Sequence, residues 1–226
     1  MRKFAIIVAG GSGTRMGASI PKQYLEIGGK PVLMHTLSSF YHNSIDINLI
    51  LVIPGNDFEF WKKLCDQFDF SIAHKLVEGG SSRFQSVKNG LNSISEAEGL
   101  VAIHDGVRPF VNQQVIERGF QEAQRFGSAI AVVPLKDSIR RLSKDGRSCF
   151  QKREYFRLVQ TPQTFQLSKI KQAFEVAEES HFTDDATVFE HQGWQVNLIA
   201  GNAENIKITT PEDIGYAEFL IQKSIH

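Results

Sequence analysis

Residues 4–22 read FAIIVAGGSGTRMGASIPK, and this stretch decides the fold class. The apolar run at residues 5–8 has no polar alternation, which predicts a parallel strand buried on both faces. It runs straight into Ala9, Gly10, Gly11, Ser12 and Gly13. Glycines allow a sharp turn and close approach of backbone to a ligand, and free backbone N–H groups in such a turn attract anions. Arg15 and Lys22 add two positive charges just beyond it. Strand, glycine turn and cations together suggest a cradle for a triphosphate, the bland alternative being a surface turn with two solvated cations.

Two named phosphate motifs fail here. A P-loop ends in Gly-Lys followed by Ser or Thr, and residues 11–16 have no such ending. A dinucleotide fingerprint needs a third glycine and an acidic residue roughly 20 residues on; Met16 stands where the glycine belongs, and residues 32–39 hold no acid.

Working outward, residues 31–42 carry apolar side chains at helical spacing behind Pro31, a residue suited to a first helical turn. Residues 47–53 (INLILVI) predict a second buried strand, 58–68 a helix and 71–77 a third strand. Glu78-Gly79-Gly80-Ser81-Ser82 forms a second glycine turn, in which Ser81 or Ser82 can cap a helix reaching Ile94. A short strand at 100–103 leads into His104-Asp105-Gly106-Val107-Arg108-Pro109. A helix over 113–126 and a strand over 128–133 follow. Strands alternating with helices predict an α/β, Rossmann-like, mainly parallel sheet with helices on both faces. Ligands of such sheets sit at the carboxyl ends of the strands, so the turns at 10–13, 79–82 and 105–108 are expected on one rim.

The pattern changes at residues 136–157, KDSIRRLSKDGRSCFQKREYFR. Charged alternation around Asp145-Gly146 is a hairpin signal. A hairpin of this size buries no core alone, so it must lie on its own domain or on a partner chain. Residues 158–165 (LVQTPQTF) carry no clear element, 168–179 predict a helix, Thr183-Asp184-Asp185 opens another, 194–199 suggest a strand, and Pro211 starts a final helix.

Composition bounds the rest. The chain has 226 residues, 42% hydrophobic and 22% charged, which is globular and of the size of one α/β domain: residues 1–226, with 136–157 as an inserted arm. Lys plus Arg and Asp plus Glu both number 25, a net charge of zero, so no broad nucleic-acid or membrane-binding field is expected. The two cysteines, Cys65 and Cys149, lack metal-ligand spacing and read as free thiols of a reducing compartment, the cytoplasm. The apolar start is too short for a signal peptide or a membrane span.

Among the polar residues, Asp105 just past a strand suits Mg²⁺, which takes one or two carboxylates plus phosphate oxygens; the plain alternative is a turn-forming Asp. Arg108 presents a planar fork for a phosphate or a surface salt bridge. Thr161 in Gln-Thr-Pro-Gln-Thr can donate a hydroxyl to a phosphate or simply sit in a turn. Thr183-Asp184-Asp185 reads on physics alone as a helix cap. Lys207, between Ile206 and Ile208, reaches one face of a short strand, either at the site or in solvent. His104 reads as structural.

The segments AGGSGTRMG, PKQYL, EGGSSRFQSV, HDGVRPFV, QTPQTF, TDDAT and NIKITTPEDI run from Ala9 to Ile214. With them the chain resembles the 2-C-methyl-D-erythritol 4-phosphate cytidylyltransferase family of the non-mevalonate isoprenoid pathway. The resemblance implies cytidylyl transfer from CTP to a polyol phosphate. It implies transition-state stabilisation by Arg15 and Lys22, a triphosphate wrapped by Ala9, Gly10, Gly11, Ser12 and Gly13, cytosine selection by Gly80 and Ser86, and Mg²⁺ or Mn²⁺ on Asp105. Arg153 and Lys207 would position the methylerythritol phosphate, with Arg108, Ser138, Thr161 and Thr183 around it. The arm would make a homodimer, inserting into the neighbour and carrying Arg153 to its site. One departure is Gly106-Val107, where the family often has Ala after the Asp. Two rival readings are a ribitol-5-phosphate cytidylyltransferase, which shares the first motif, and a non-catalytic nucleotide-binding protein on the same fold.

Overall fold

A computed structural model describes residues 1–11, 20–41 and 46–224. In chain order the elements are β1 (Lys3–Val8), β2 (Glu26–Ile27), β3 (Lys30–Pro31), α1 (Val32–Tyr41), β4 (Ile47–Ile53), α2 (Phe58–Gln67), β5 (Lys75–Glu78), α3 (Arg83–Asn92), β6 (Leu100–Asp105) and α4 (Gln113–Phe126). They continue with β7 (Ser128–Pro134), β8 (Ile139–Leu142), β9 (Ser148–Gln151), β10 (Arg157–Gln166), α5 (Leu167–Ala173), α6 (Asp185–Glu190), β11 (Leu198–Ala200) and α7 (Pro211–Ser224).

Seven strands form the main sheet in the order β11-β7-β10-β6-β1-β4-β5. β1 runs parallel to both neighbours, with Ala5 opposite Leu49 on one side and Ala102 on the other. Alternate side chains of the buried strands therefore feed two cores. Ala5 and Ile7 pack with Leu33, Leu37 and Phe40 of α1, Trp61 of α2 and Phe120 of α4. Phe4 and Ile6 pack on the opposite face with Phe84 and Leu91 of α3, Ile170 of α5 and Phe189 of α6. Helices on both faces are what the uninterrupted apolar strands require.

β10 is the exception, antiparallel to both β6 and β7. The sequence concealed it because Pro162, which cannot donate to a ladder, sits at its middle. The register to β7 breaks between Val159 and Gln163, around that proline. Other boundaries move for packing reasons. The helix expected over 168–179 ends at Ala173, where Phe174 stacks on Phe84 with ring centroids 4.7 Å apart. The strand expected over 71–77 begins only at Lys75, since His74 turns inward to accept the Trp61 indole N–H at 2.8 Å. The late strand shifts to Leu198–Ala200, and the segment around Lys207 is not a strand.

The arm is the hairpin the sequence suggests. β8 pairs antiparallel with β9, Ile139 opposite Gln151, as a separate two-stranded sheet. Gly146 lies in its turn at φ +82°, where glycine carries no strain.

His104 on β6 is wholly buried, its ring edge-on to Phe40, and its Nε2–H donates to the Arg108 carbonyl at 2.9 Å. Nδ1 has no partner among the described residues. Burial pushes its pKa down to about 4. The unfolded chain, with an ordinary histidine near ~6.5, takes up this proton first as pH falls. Stability is therefore complete above about 6.5 and lost down to about 4, by on the order of 3 kcal/mol in all. In urea titrations across that range, His104→Gln should show a shallower pH dependence of unfolding free energy, by close to one proton. Equal slopes in parent and variant would mean that the ring is protonated while folded.

Candidate active site at the carboxyl rim

Three turns meet where the sheet ends, each pinned to a neighbouring strand. Ala9 N–H donates to Val52 O at 2.9 Å, Gly79 N–H to Ile53 O at 2.9 Å, and Gly106 N–H to Val8 O at 2.8 Å. The pocket between them, about 340 Å³, is walled by Ala9, Gly10 and Gly11, by Gly80 and Ser86, and floored by Asp105. Lys22, Lys207 and Arg83 also line it.

The second glycine turn is rigid. Gly80 N–H donates to Ser86 Oγ at 3.1 Å, and that hydroxyl donates onward to Ser82 O at 2.8 Å. A Cβ on Gly80 would lie 2.3 Å from Gln85 Cβ, so no side chain fits there. Ser82, not Ser81, caps α3, accepting from Gln85 N–H at 3.1 Å. On the first turn, Gln23 donates its amide to Ala9 O at 2.9 Å. This tie connects the Lys22 segment to the glycine turn.

Charge is organised around Asp105. Its Oδ2 lies 3.0 Å from Lys207 Nζ and 3.2 Å from Arg108 Nε, and its Oδ1 3.7 Å from Arg83 Nε. Burial alone would raise this carboxyl. The charges of Arg83, Lys207 and Arg108 outweigh burial and hold it well below the usual carboxylate range. It is ionised at any physiological pH.

Of the residues expected at the site, Ala9, Gly10, Gly11, Lys22, Gly80, Ser86, Asp105 and Lys207 share this pocket. Ser12, Gly13 and Arg15 lie outside the described residues. Arg108 stands behind Asp105 and also donates to Asn205 O at 2.9 Å. Thr161 is buried beneath, its hydroxyl accepting the Asp105 N–H at 3.0 Å. Thr183 is exposed, just ahead of α6, where Asp184 forms a reciprocal cap with Thr187. Ser138 and Arg153 are exposed beside the arm strands, Arg153 donating to Lys136 O, and neither lines the pocket. The sequence reading missed Gln23 and Arg83. Both stand in quoted motifs, PKQYL and EGGSSRFQSV, but nothing in a lone Gln or Arg marks its partner.

Asp105 is the one carboxylate on the pocket wall, and no group of three or more metal-ligating side chains occurs among the described residues. A single hard oxygen donor fits an ion that brings its remaining ligands from phosphates and water. Oδ1 of Asp105 lies 3.7 Å from Arg83 Nε.

Known proteins give the same picture. The chain matches the family described as IspD, 2-C-methyl-D-erythritol 4-phosphate cytidylyltransferase, over residues 4–223. Relatives of that name include one from Phocaeicola vulgatus, 46% identical over 98% of this chain and 100% of its own length. Another, from Porphyromonas gingivalis, is 44% identical over 97% and 98%. Among solved structures, 4-diphosphocytidyl-2C-methyl-D-erythritol synthase from Anaerococcus prevotii superposes with a TM-score of 0.84 at 32% identity, covering 97% of this chain and 95% of that one. The Thermus thermophilus cytidylyltransferase gives 0.79 at 31%, covering 98% and 100%. A chain that matches a family over nearly its whole length, and builds that family's fold, belongs to it: this is a member of the 2-C-methyl-D-erythritol 4-phosphate cytidylyltransferase family.

Proposed function

We propose that the pocket at the carboxyl rim transfers the cytidylyl group of CTP to 2-C-methyl-D-erythritol 4-phosphate, giving CDP-methylerythritol and pyrophosphate for isoprenoid precursor synthesis. The observation that carries this reading is the ionised Asp105, set among three cations beside two glycine turns. The family and its relatives do not favour the ribitol or the non-catalytic reading.

An oxygen of the acceptor phosphate attacks the α-phosphorus in line, a new P–O bond forms, and the bond to the β-phosphate breaks as pyrophosphate leaves. A phosphate monoester is already a nucleophile near neutral pH, so the protein needs no general base. Its work is to position reactants and neutralise charge. Lys22 and Arg15 would stabilise the charge that develops at the α-phosphate. The stretch Ala9, Gly10, Gly11, Ser12 and Gly13 would wrap the triphosphate, and Gly80 and Ser86 would select the base. Asp105 would hold Mg²⁺ or Mn²⁺ together with phosphate oxygens, and such an ion supplies further charge neutralisation. On the acceptor side stand Lys207, Arg108, Thr161 and Thr183.

Ser138 and Arg153 reach an acceptor only if the arm enters a second copy of the chain. The arm's surface supports that arrangement: Leu142, Phe150 and Tyr155 are 72%, 63% and 79% exposed. Exposed apolar side chains on a hairpin without its own core mark an interface. The chain is thus read as one nucleotidyltransferase unit, residues 1–226, dimerised through residues 136–157. No helix among the described residues is long and apolar enough to cross a membrane. With Cys65 and Cys149 as free thiols, the compartment is read as the cytoplasm.

Side-by-side kcat/KM measurements with CTP and Mg²⁺ should favour methylerythritol phosphate over ribitol 5-phosphate; preference for ribitol would overturn the acceptor assignment. Lys22→Ala should keep the melting temperature and lose about 10²-fold or more in kcat, the scale of one preorganised donor. A folded variant with parental kcat would remove Lys22 from the chemistry. Light scattering at micromolar concentration should give the mass of a dimer, and deleting residues 139–151 should give a monomer of low activity. A fully active monomeric parent would end the arm's proposed role.

A further inference from the structure

Arg83 is a cation of the pocket to which the reaction as described gives no task. It is the first residue of α3 and its side chain is 30% exposed. Its guanidinium forks onto Asp185, Nη1 donating to Oδ1 at 2.8 Å and Nη2 to Oδ2 at 2.6 Å. The remaining nitrogen, Nε, faces Asp105 Oδ1 at 3.7 Å. Burial opposes the charge on Arg83, but Asp185, Asp105 and Asp184 outweigh it and keep the group protonated. One planar, rigid group thus stands between two buried carboxylates. A guanidinium fixes such a spacing where an ammonium on a flexible stem does not.

The two carboxylates come from different elements, which in the reaction proposed above serve different substrates. Asp105 ends β6 and floors the nucleotide pocket. Asp185 begins α6, two residues after Thr183. That helix spans only Asp185–Glu190, too short to hold its own shape or place. It is clamped from β10 by Gln163, whose amide donates to Asp184 Oδ2 at 2.8 Å and accepts the Ala186 N–H at 2.8 Å. Arg83 supplies the second clamp, from the opposite element and in line with Asp105.

We infer that Arg83 is a positioning residue: its guanidinium sets the distance between Asp105 on the nucleotide side and the Thr183–Asp185 segment on the acceptor side, aligning the attacking phosphate oxygen with the α-phosphorus. The inference rests on the transfer reaction proposed above. Gln163 keeps α6 docked without Arg83, so losing the fork shifts the segment instead of detaching it. Displacements of about 1 Å in reacting groups cost on the order of 10²-fold in rate.

The test uses Arg83→Lys, which keeps the charge and cannot fork. Calorimetric affinity for CTP with Mg²⁺ should stay within about threefold of the parent, while kcat falls at least about tenfold and KM for methylerythritol phosphate rises. Arg83→Gln combined with Asp185→Asn removes both charges together, so no buried ion is left unpaired. It should show the same split and be no worse than Arg83→Gln alone; it decides the matter if the lysine variant melts below the assay temperature. A folded variant with kcat and acceptor KM within about twofold of the parent, or a loss confined to CTP affinity, would overturn the inference. A parent that turns over neither acceptor overturns the transfer reading and this inference together, whereas an active parent matched by its variants sinks this inference alone.

Discussion

A single buried carboxylate sets the geometry of this site. Asp105 closes β6 opposite Val8 of β1, so the sheet register fixes its position before any ligand arrives. A buried charge must be paired, and Asp105 collects its partners from three separate stretches of chain: Arg83 from the start of α3, Arg108 from the turn after β6, and Lys207 from the segment before α7. Each of those segments is tied down independently. Ser82 caps α3. Arg108 is held by Asn205 O, and Ile208 N–H bonds to Val107 O at 2.9 Å. The cations are thus preorganised around an internal anion. Lys207, 41% exposed, is the most accessible of the three, against 30% for Arg83 and 13% for Arg108.

How much of this the sequence disclosed follows from the range of each interaction. The strands at 47–53 and 128–133 and the helix over 113–126 were legible because their signals are local, apolar runs and a helical pattern; the structure adds Asn112 as the cap of that helix and Gly127 as its stop. The rim was legible because strand ends in such sheets converge. Arg83 was not, since its role depends on Asp185, 102 residues away, and on Asp105 across the sheet. Gln23 escaped for the same reason, its partner being a main-chain carbonyl. β10 escaped because its pairing is antiparallel and interrupted at Pro162, so neither alternation nor an apolar run announced it.

The departure at Gly106 also has a physical reading. A Cβ there would come 2.7 Å from Ala9 Cβ and 3.0 Å from Leu33 Cδ1. In this chain the ends of β1 and β6 approach each other closely enough to exclude a methyl group, while Thr36 of α1 donates its hydroxyl to Gly106 O at 2.9 Å. Glycine at this position therefore lets the first glycine turn and the residues after Asp105 pack this closely.

The chain has no net charge, yet it reads as an enzyme for two highly anionic substrates. Long-range attraction would need an excess of one sign over the surface; this protein instead concentrates charge locally. Around the pocket, Lys22, Arg83, Arg108 and Lys207 gather near the carboxylates Asp105, Asp184 and Asp185, of which Asp105 and Asp185 are already engaged by arginines. The excess positive charge is confined within a few ångströms, in a pocket with low-dielectric walls where such charges act strongly. A phosphate entering it meets the full local field. The placement of these charges around Asp105 depends in turn on the register of one buried strand.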